Sequence, residues 1–564
     1  MGTISFLALL ACPYAKTLPA QRHSLPCRRR NTKRTIQKMM QKLKEHPQPA
    51  VKEWKGYLID GEIGQWDGAT EEVYSPMGKV DADGRVDRVY LGSSPLLNES
   101  KGLEALEAAR RAYANGRGMW PTATPGFRLR AMERFVAQMK EMREEVSSLI
   151  MWEIAKNRST AYKEFDRTVQ YIEDTLDEYK KMNRQGSHVN AKDGIVSQIR
   201  RGPLGVVLCL GPYNYPLNET FCLLVPALMM GNTVIFKPAK YGVLLLTPLA
   251  RAFQECFPPG VVNVVFGRGR SLAGPIMATG KIDVLALIGN SSSSNALVAQ
   301  HPKPNRLRQV LALEAKNPAI VFADADLDLA VAECIKGALS YNGQRCTALK
   351  VLFVQRSVCP AFLEKLSAAV DALQLDHPLE DVPLTPLPER GKVEAMEELV
   401  ADATAKGAEV VNKRAGRLNE TCFFPAVLYP VKPPMRIYKE EQFGPVVPVV
   451  AFDDLEEVME SIAQSDYGQQ ASVFSEEQAT IAYAIDNLVN QVCRVNLNSS
   501  CQRGPDYLPF TGRKDSATGT LSVHDALRSF SIRTLVAAAE DKKDLVRRVI
   551  AQGESTFMTT DYLL

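Results

Sequence analysis

An α/β fold with two parallel-sheet domains is what this 564-residue sequence predicts, on three observations. From Gly205 apolar strands alternate with helical stretches, from Asn317 a second such block begins, and residues 102–185 ahead of both carry helix-type periodicity. Near-continuous apolar strands separated by helices mark parallel βαβ units whose sheets are covered on both faces. Composition agrees, since 45% apolar residues against 23% charged is globular and the length implies a core divided over two or three domains. A disordered chain is thereby excluded.

In chain order, residues 1–50 form an N-terminal extension. Ile4 to Cys12 is an apolar run too short to span a bilayer, and a Ser- and Arg-containing stretch without acids follows it. Residues 1–44 hold ten Lys or Arg and no Asp or Glu, which reads as an organelle-import segment; the other reading is a dispensable extension ahead of the tandem Met39-Met40. A secretory signal is disfavoured because no basic residue precedes the apolar run, and Phe6 breaks the myristoylation pattern. The net charge is +4, so the remaining 520 residues carry 58 basic against 64 acidic side chains, and no basic field points to nucleic acid.

The helical layer of residues 102–185 is rich in strong helix formers at helical spacing, as in Ala109, Ala112 and Ala114 or Met132, Phe135, Met139 and Met142. The first alternating block then runs through Gly205 to Leu210, Leu223 to Met230, Thr233 to Phe236, a helical stretch from Thr247, and Val261 to Phe266. After Phe266 come Gly267 and Gly269 with the next glycine at Gly274, so the Gly-x-Gly-x-x-Gly fingerprint is absent and glycines alone predict no dinucleotide site. The second block opens at Asn317 to Phe322, carries helices at Leu327 to Leu339 and Pro360 to Leu373, and extends to about Gly519. A charged segment from Glu540 to Asp544 and a short helix close the chain on a solvated face. Eleven cysteines without a Cys-x-x-Cys pair read as reduced thiols, and six scattered histidines predict no metal site.

Chemistry concentrates in three segments. Gly343-Gln344-Arg345-Cys346-Thr347-Ala348 sets a cysteine beside a guanidinium, which favours the thiolate, although a lone cysteine is more often an inert core residue. Gly211-Pro212-Tyr213-Asn214-Tyr215-Pro216 and Glu440-Glu441-Gln442-Phe443-Gly444-Pro445 also sit beside strand-type runs. In order and spacing the three resemble the aldehyde dehydrogenase superfamily over roughly residues 55–537. Within it, Arg345, Tyr215 and Gln502-Arg503-Gly504-Pro505-Asp506 resemble the NADP-dependent, non-phosphorylating glyceraldehyde-3-phosphate dehydrogenases.

The resemblance implies an aldehyde dehydrogenase-like fold. Its two Rossmann-type domains are an NAD(P)-binding one over 51–185 and 203–312, on a variant sheet without the usual phosphate-cradling loop, and a catalytic one over 313–519. Strands at 186–202 and 520–537 are expected to pair across subunits into a homo-oligomer, dimer or tetramer, leaving 538–564 as a tail. It further implies that Cys346 is the nucleophile and that Asn214, with the Cys346 N–H, stabilises the oxyanion. Lys237 is matched to the adenosine ribose, Glu441 to the nicotinamide ribose, Phe443 to the ring, and Gly289 and Asn290 to the nicotinamide side, where Ile288 and Asn290 depart from the usual Phe-Thr-Gly-Ser. Lys240 would welcome the 2′-phosphate of NADP, with NAD as the alternative cofactor and a solvated lysine as the plain reading.

For the substrate, Arg167, Arg345 and Arg503 match an anion site and Tyr215 adds a hydroxyl. Arg345 has a second reading, lowering the thiol pKa, and Arg167 reads equally as a surface helix residue. The superfamily's general base falls on Ala312. Glu314 lies two residues on, the same face of an extended segment about 7 Å along, and is the expected replacement; otherwise it is structural and another acceptor, such as phosphate or coenzyme A, resolves the acyl group. The implied activity is NADP-dependent oxidation of glyceraldehyde 3-phosphate to 3-phosphoglycerate in the cytoplasm, with a small aldehyde as partner and neither nucleic acid nor membrane. Oxidation of another small aldehyde, and a weakened cofactor-binding scaffold, are the two other readings.

Overall fold

The computed structural model describes residues 48–81, 83–553 and 555–558. The import reading of residues 1–44 lies outside them. Two seven-stranded sheets organise the rest. In the first, Arg308–Ala312, Val284–Ile288, Val206–Leu210, Thr233–Lys237 and Val262–Val264 lie side by side and parallel, and Gly56–Ile59 and Glu62–Gln65 extend the edge in antiparallel fashion. The chain moves outward from Val206–Leu210 in one direction and returns to its other side with Val284–Ile288. That reversal leaves a crevice beyond the C-terminal ends of these two strands, where ligands of open α/β sheets bind.

The second sheet runs Glu409–Val410, Ala426–Tyr429, Val446–Phe452, Leu349–Gln355, Asn317–Val321, Gln470–Phe474 and Arg494–Leu497, parallel except at its first pair. Its central strands are buried on both faces, which is why Asn317–Val321 and Leu349–Gln355 read as almost unbroken apolar runs. Helix Leu327–Leu339 makes the crossover between them; Asp326 caps it by accepting from the Asp328 and Leu329 amides.

Between that helix and strand Leu349–Gln355 the backbone makes a left-handed turn, with φ of 51° at Tyr341, 55° at Asn342 and 73° at Gly343. A Cβ at Gly343 would lie 2.7 Å from the Ala338 carbonyl oxygen and 2.8 Å from that of Gly444, so only glycine fits where this turn delivers Cys346.

The helical layer consists chiefly of Glu99–Tyr113, Pro125–Glu141, Arg143–Ile154 and Arg158–Gly186. The last begins at Asn157, which caps the Thr160 amide, and buries Ala161, Phe165, Thr168, Ile172 and Thr175 at helical spacing. Helix Asn218–Met229 is buried along its whole length, between this layer and the first sheet. Sequence periodicity did not reveal the long antiparallel pair Thr70–Val80 and Val86–Pro95, whose register shifts break the alternation.

A third sheet joins Val189–Lys192, Ile195–Pro203 and Ser531–Ala539. The expected strand at 520–537 is only half strand: Val523–Ser529 is a helix, because Val523, Ala526 and Leu527 bury one helical stripe, and the strand runs from Ser531 to Ala539. The tail is not merely a solvated face either. Helix Lys543–Gln552 packs Val546 onto Val196, together with Met558. Among the described residues no helix is long and apolar enough to cross a membrane.

Candidate active site

The C-terminal edge of the first sheet meets the N-terminal edge of the second around a cleft of about 920 Å³. From the first sheet come Pro212 to Tyr215 after Val206–Leu210, Gly289 and Asn290 after Val284–Ile288, and Leu313 and Glu314 after Arg308–Ala312. From the second come Cys346 ahead of Leu349–Gln355 and Glu441 and Phe443 ahead of Val446–Phe452. Thr160, Arg167, Glu219 and Arg503 complete one wall.

Cys346 is partly exposed to this cleft, and the nine cysteines among the described residues are all free. Burial pushes its thiol up to about 11; Glu219 and Glu441 add to the rise, while Arg503 and a hydrogen bond with Gln469 oppose it. Alkylation of Cys346 by iodoacetamide is therefore expected to accelerate about tenfold per pH unit between pH 7 and pH 10. A flat profile, followed by peptide mapping, would show that the thiolate is already formed.

Arg345 is not among the charges that act most strongly on that thiol. Its guanidinium turns back to the end of helix Leu327–Leu339 and donates to the carbonyls of Gly337 at 2.8 Å and Lys336 at 3.2 Å. The unsatisfied carbonyls of a helix C-terminus attract a cation, and this local demand holds the side chain there. Arg345 nonetheless lines the cleft together with Arg167, Tyr215 and Arg503.

Asn214 is buried and donates its side-chain amide to the Gln344 carbonyl at 2.9 Å, which ties the loop after the first sheet to the cysteine segment. Beneath it lies a pair that sequence reasoning missed. The Lys156 ammonium is wholly buried against the Glu164 carboxylate, donates to the Asn214 carbonyl at 2.9 Å and stands 3.3 Å from the centre of the Tyr215 ring. Glu164 accepts from the Leu217 and Asn218 amides at 3.1 and 3.2 Å, so the pair holds the whole Asn214 loop.

On the second sheet Glu441 accepts from the Ala315 amide at 3.1 Å and pairs with Lys350 at 3.2 Å, while burial raises its carboxyl pKa. Lys350 also stands 4.6 Å from the centre of the Phe443 ring. A lysine inside the apolar strand Leu-Lys-Val-Leu-Phe-Val-Gln was the signal for it. Lys316 donates to the carbonyls of Ile437 and Glu440 at 2.6 and 2.7 Å and so fixes the Glu441 loop.

Glu314 lines the cleft with Cys346 and accepts from the Ser291 amide at 2.8 Å, in the first turn of helix Ser291–Gln300. Ala312 is buried at the end of its strand and accepts from the Gly289 amide at 3.1 Å. Asn290 caps that same helix through the Ser293 amide at 2.8 Å, which accounts for an asparagine at this position.

Lys237 and Lys240 lie outside the cleft. Lys237 ends strand Thr233–Lys237, donates to the Pro238 carbonyl at 2.5 Å and is lowered to about 8 by burial. Its Cε lies 4.0 Å from where a Cβ on Gly269 would be, at the start of helix Gly269–Ala278. Lys240 pairs with Glu71 at 2.7 Å, which Arg268 also approaches at 3.8 Å.

Two of the three arginines matched to an anion site, Arg167 and Arg503, stand in a neutral quartet with Asp506 and Glu219. Arg167 grips Asp506 through two bonds of 2.9 and 2.7 Å; Arg503 pairs with Glu219, lies 3.3 Å from Asp506 and donates to the Leu521 carbonyl at 3.3 Å. Glu219 is the second residue that sequence reasoning missed. Its signal was an acid opening a helix whose later residues are nearly all apolar.

Fold and site define the class: an α/β enzyme with a cysteine in a cleft between two doubly wound sheets. The model of the aldehyde dehydrogenase family matches residues 79–536. The NADP-dependent glyceraldehyde-3-phosphate dehydrogenase of Streptococcus equinus is 31% identical over 493 residues, covering 85% of this chain and 98% of that protein. The lactaldehyde dehydrogenase of Escherichia coli K12 is 29% identical over 435 residues, with 76% and 88% covered. Among solved structures, the NADP-dependent glyceraldehyde-3-phosphate dehydrogenase of Bacillus halodurans, complexed with NADP, superposes with a TM-score of 0.78 at 30% identity, covering 86% of this chain and 99% of that one. The chain belongs to the aldehyde dehydrogenase family and is an oxidoreductase of aldehydes.

Proposed function

We propose that this enzyme oxidises D-glyceraldehyde 3-phosphate to 3-phosphoglycerate with NADP, by way of a thioester on Cys346. The observation that carries it is the convergence of Cys346, Asn214, Glu314, Glu441, Arg167 and Arg503 on one cleft, in a chain about 30% identical to enzymes of that activity. The residues fit the cofactor. A half-buried Lys237 whose ammonium meets a carbonyl, beside a helix N-terminus, with Lys240 and Arg268 around one acid, makes a cationic cradle for a phosphorylated ribose. Glu441 would hold the second ribose, and Phe443, Gly289 and Asn290 would flank the ring. NADP supplies the hydride acceptor.

The thiolate of Cys346 adds to the aldehyde carbon, and the carbonyl oxygen takes the negative charge. One amide hydrogen of Asn214 is held by Gln344; the other, with the Cys346 N–H, stabilises that oxygen, a contribution worth about 10²–10³ in rate per donor. Loss of hydride leaves the Cys346 thioester. Glu314 then takes a proton from water, the water oxygen bonds to the acyl carbon, and the sulfur leaves as thiolate. Tyr215 and the arginines meet the substrate's far end. The outward sheet face, where Ile195, Ile532 and Leu535 are exposed, supports assembly into a homo-oligomer.

Lactaldehyde or another uncharged aldehyde is the second reading, favoured by the pairing of Arg167 and Arg503 with Asp506 and Glu219. Purified protein incubated with each aldehyde and NADP or NAD, with and without inorganic phosphate, separates the two. NADPH from glyceraldehyde 3-phosphate without inorganic phosphate is expected, and its absence rejects the first reading. In single turnovers, Glu314→Gln is expected to keep the burst of reduced cofactor and slow deacylation by about 10²–10⁴. Unchanged deacylation would eliminate Glu314 as the base.

A further inference from the structure

Glu219 and Arg503 are both buried, at 7% and 6% exposure, and both face the cleft that holds Cys346. Asp506 is committed to Arg167 by two short bonds and stands 3.3 Å from Arg503, so the counter-ion that Arg503 grips is Glu219. A carboxylate of the protein therefore occupies the position that a substrate anion would seek. Any anionic tail arriving at Arg503 meets a like charge that buried surroundings screen poorly, and like charges in one site disfavour each other. Glu219, Arg503 and Cys346 line one cleft, and Glu219 and Arg503 are the two charged groups that act most strongly on the thiol, with opposite sign.

We propose that Glu219 is a specificity-determining residue: an internal counter-ion that weakens the hold of Arg503 on anionic aldehydes, relative to aldehydes of the same size whose far end is neutral. The proposal rests on the reading that the aldehyde carbonyl meets Cys346 while its tail reaches Arg503. It goes further in making the preference among tails a property of one carboxylate. The remaining contacts of Arg503, to Asp506, to the Leu521 carbonyl and over the Phe510 ring at 4.7 Å, keep it in place when Glu219 loses its charge.

The test needs neither cofactor nor turnover. Iodoacetate and iodoacetamide both alkylate Cys346 with loss of iodide and differ by one negative charge, so the ratio of their rates reports the local field and cancels the thiolate fraction. Glu219→Gln is expected to raise the iodoacetate to iodoacetamide ratio roughly tenfold, and Glu219→Asp, which retains the charge, to stay within about twofold of the wild type. A ratio unmoved by Glu219→Gln in protein with native circular dichroism overturns the proposal. Should that variant not fold, the wild type decides: its ratio is expected to be no higher than that of N-acetylcysteine, and a higher one overturns the proposal. With turnover, the KM for glyceraldehyde 3-phosphate relative to glyceraldehyde falls by a similar factor in Glu219→Gln. Absence of NADPH from glyceraldehyde 3-phosphate in the wild type counts against the proposed function alone, because the alkylation ratio is read independently of it.

Discussion

Cys346→Ser is expected to lower aldehyde oxidation by about four orders of magnitude or more, equivalent to at least about 5 kcal/mol on the barrier. Sulfur is nucleophilic even at a small thiolate fraction, whereas a serine hydroxyl needs an adjacent general base. The thiol takes a hydrogen bond from Gln469, which is no base, and Glu219, Arg503 and Glu441 are prominent among the charges that act on it. Of these, Glu219 is tied to Arg503 and Glu441 to Lys350 and the Ala315 amide. Initial rates of reduced-cofactor formation check the loss. Unchanged thermal unfolding would show that the missing group is chemical, since a thiol-to-hydroxyl exchange alters volume little. Residual activity above one-hundredth of the wild type would exclude Cys346 as the nucleophile.

Lys156→Ala is expected to destabilise the protein by about 3–5 kcal/mol and to carry activity down with it. The ammonium is wholly buried, so its removal strands the Glu164 carboxylate without a counter-charge in a site that water does not reach. It also removes the donor to the Asn214 carbonyl and opens a cavity between the Tyr215 and Tyr341 rings, both of which the ammonium now faces. The double variant Lys156→Met with Glu164→Gln has no stranded charge, and its amide oxygen still accepts from Leu217 and Asn218. It should recover more than half of the lost stability in denaturant titrations while recovering little activity, because nothing holds the Asn214 carbonyl. If the single and double variants unfold alike, the cost lies in packing rather than in the buried charge.

Much of the frame was legible before any coordinates. Asn317–Val321 and the helix Leu327–Leu339 fall where the apolar runs placed them, because a strand buried on both faces and a helix with one buried stripe write their surroundings into local spacing. Helix Val523–Ser529 was misread as strand: a seven-residue piece shows barely two turns of its period, and the resemblance had placed a strand across it. The segments bearing Cys346, Asn214 and Glu441 were legible as chemistry, since each joins unusual residues to a strand end.

The directions in which charged side chains turn were not legible. Arg345 stands next to Cys346 in sequence yet answers the carbonyls of its own preceding helix. Glu219 and Arg503 meet across 284 residues, Arg167 and Asp506 across 339. Sequence spacing decides which residues share a face within one element, and so by itself it determined the two-sheet fold, the family and the cysteine. Which charges cancel depends on elements brought together by the burial of other residues. Only the tertiary structure therefore decided that Arg167 and Arg503 carry their own counter-ions, and that Glu219 is one of them.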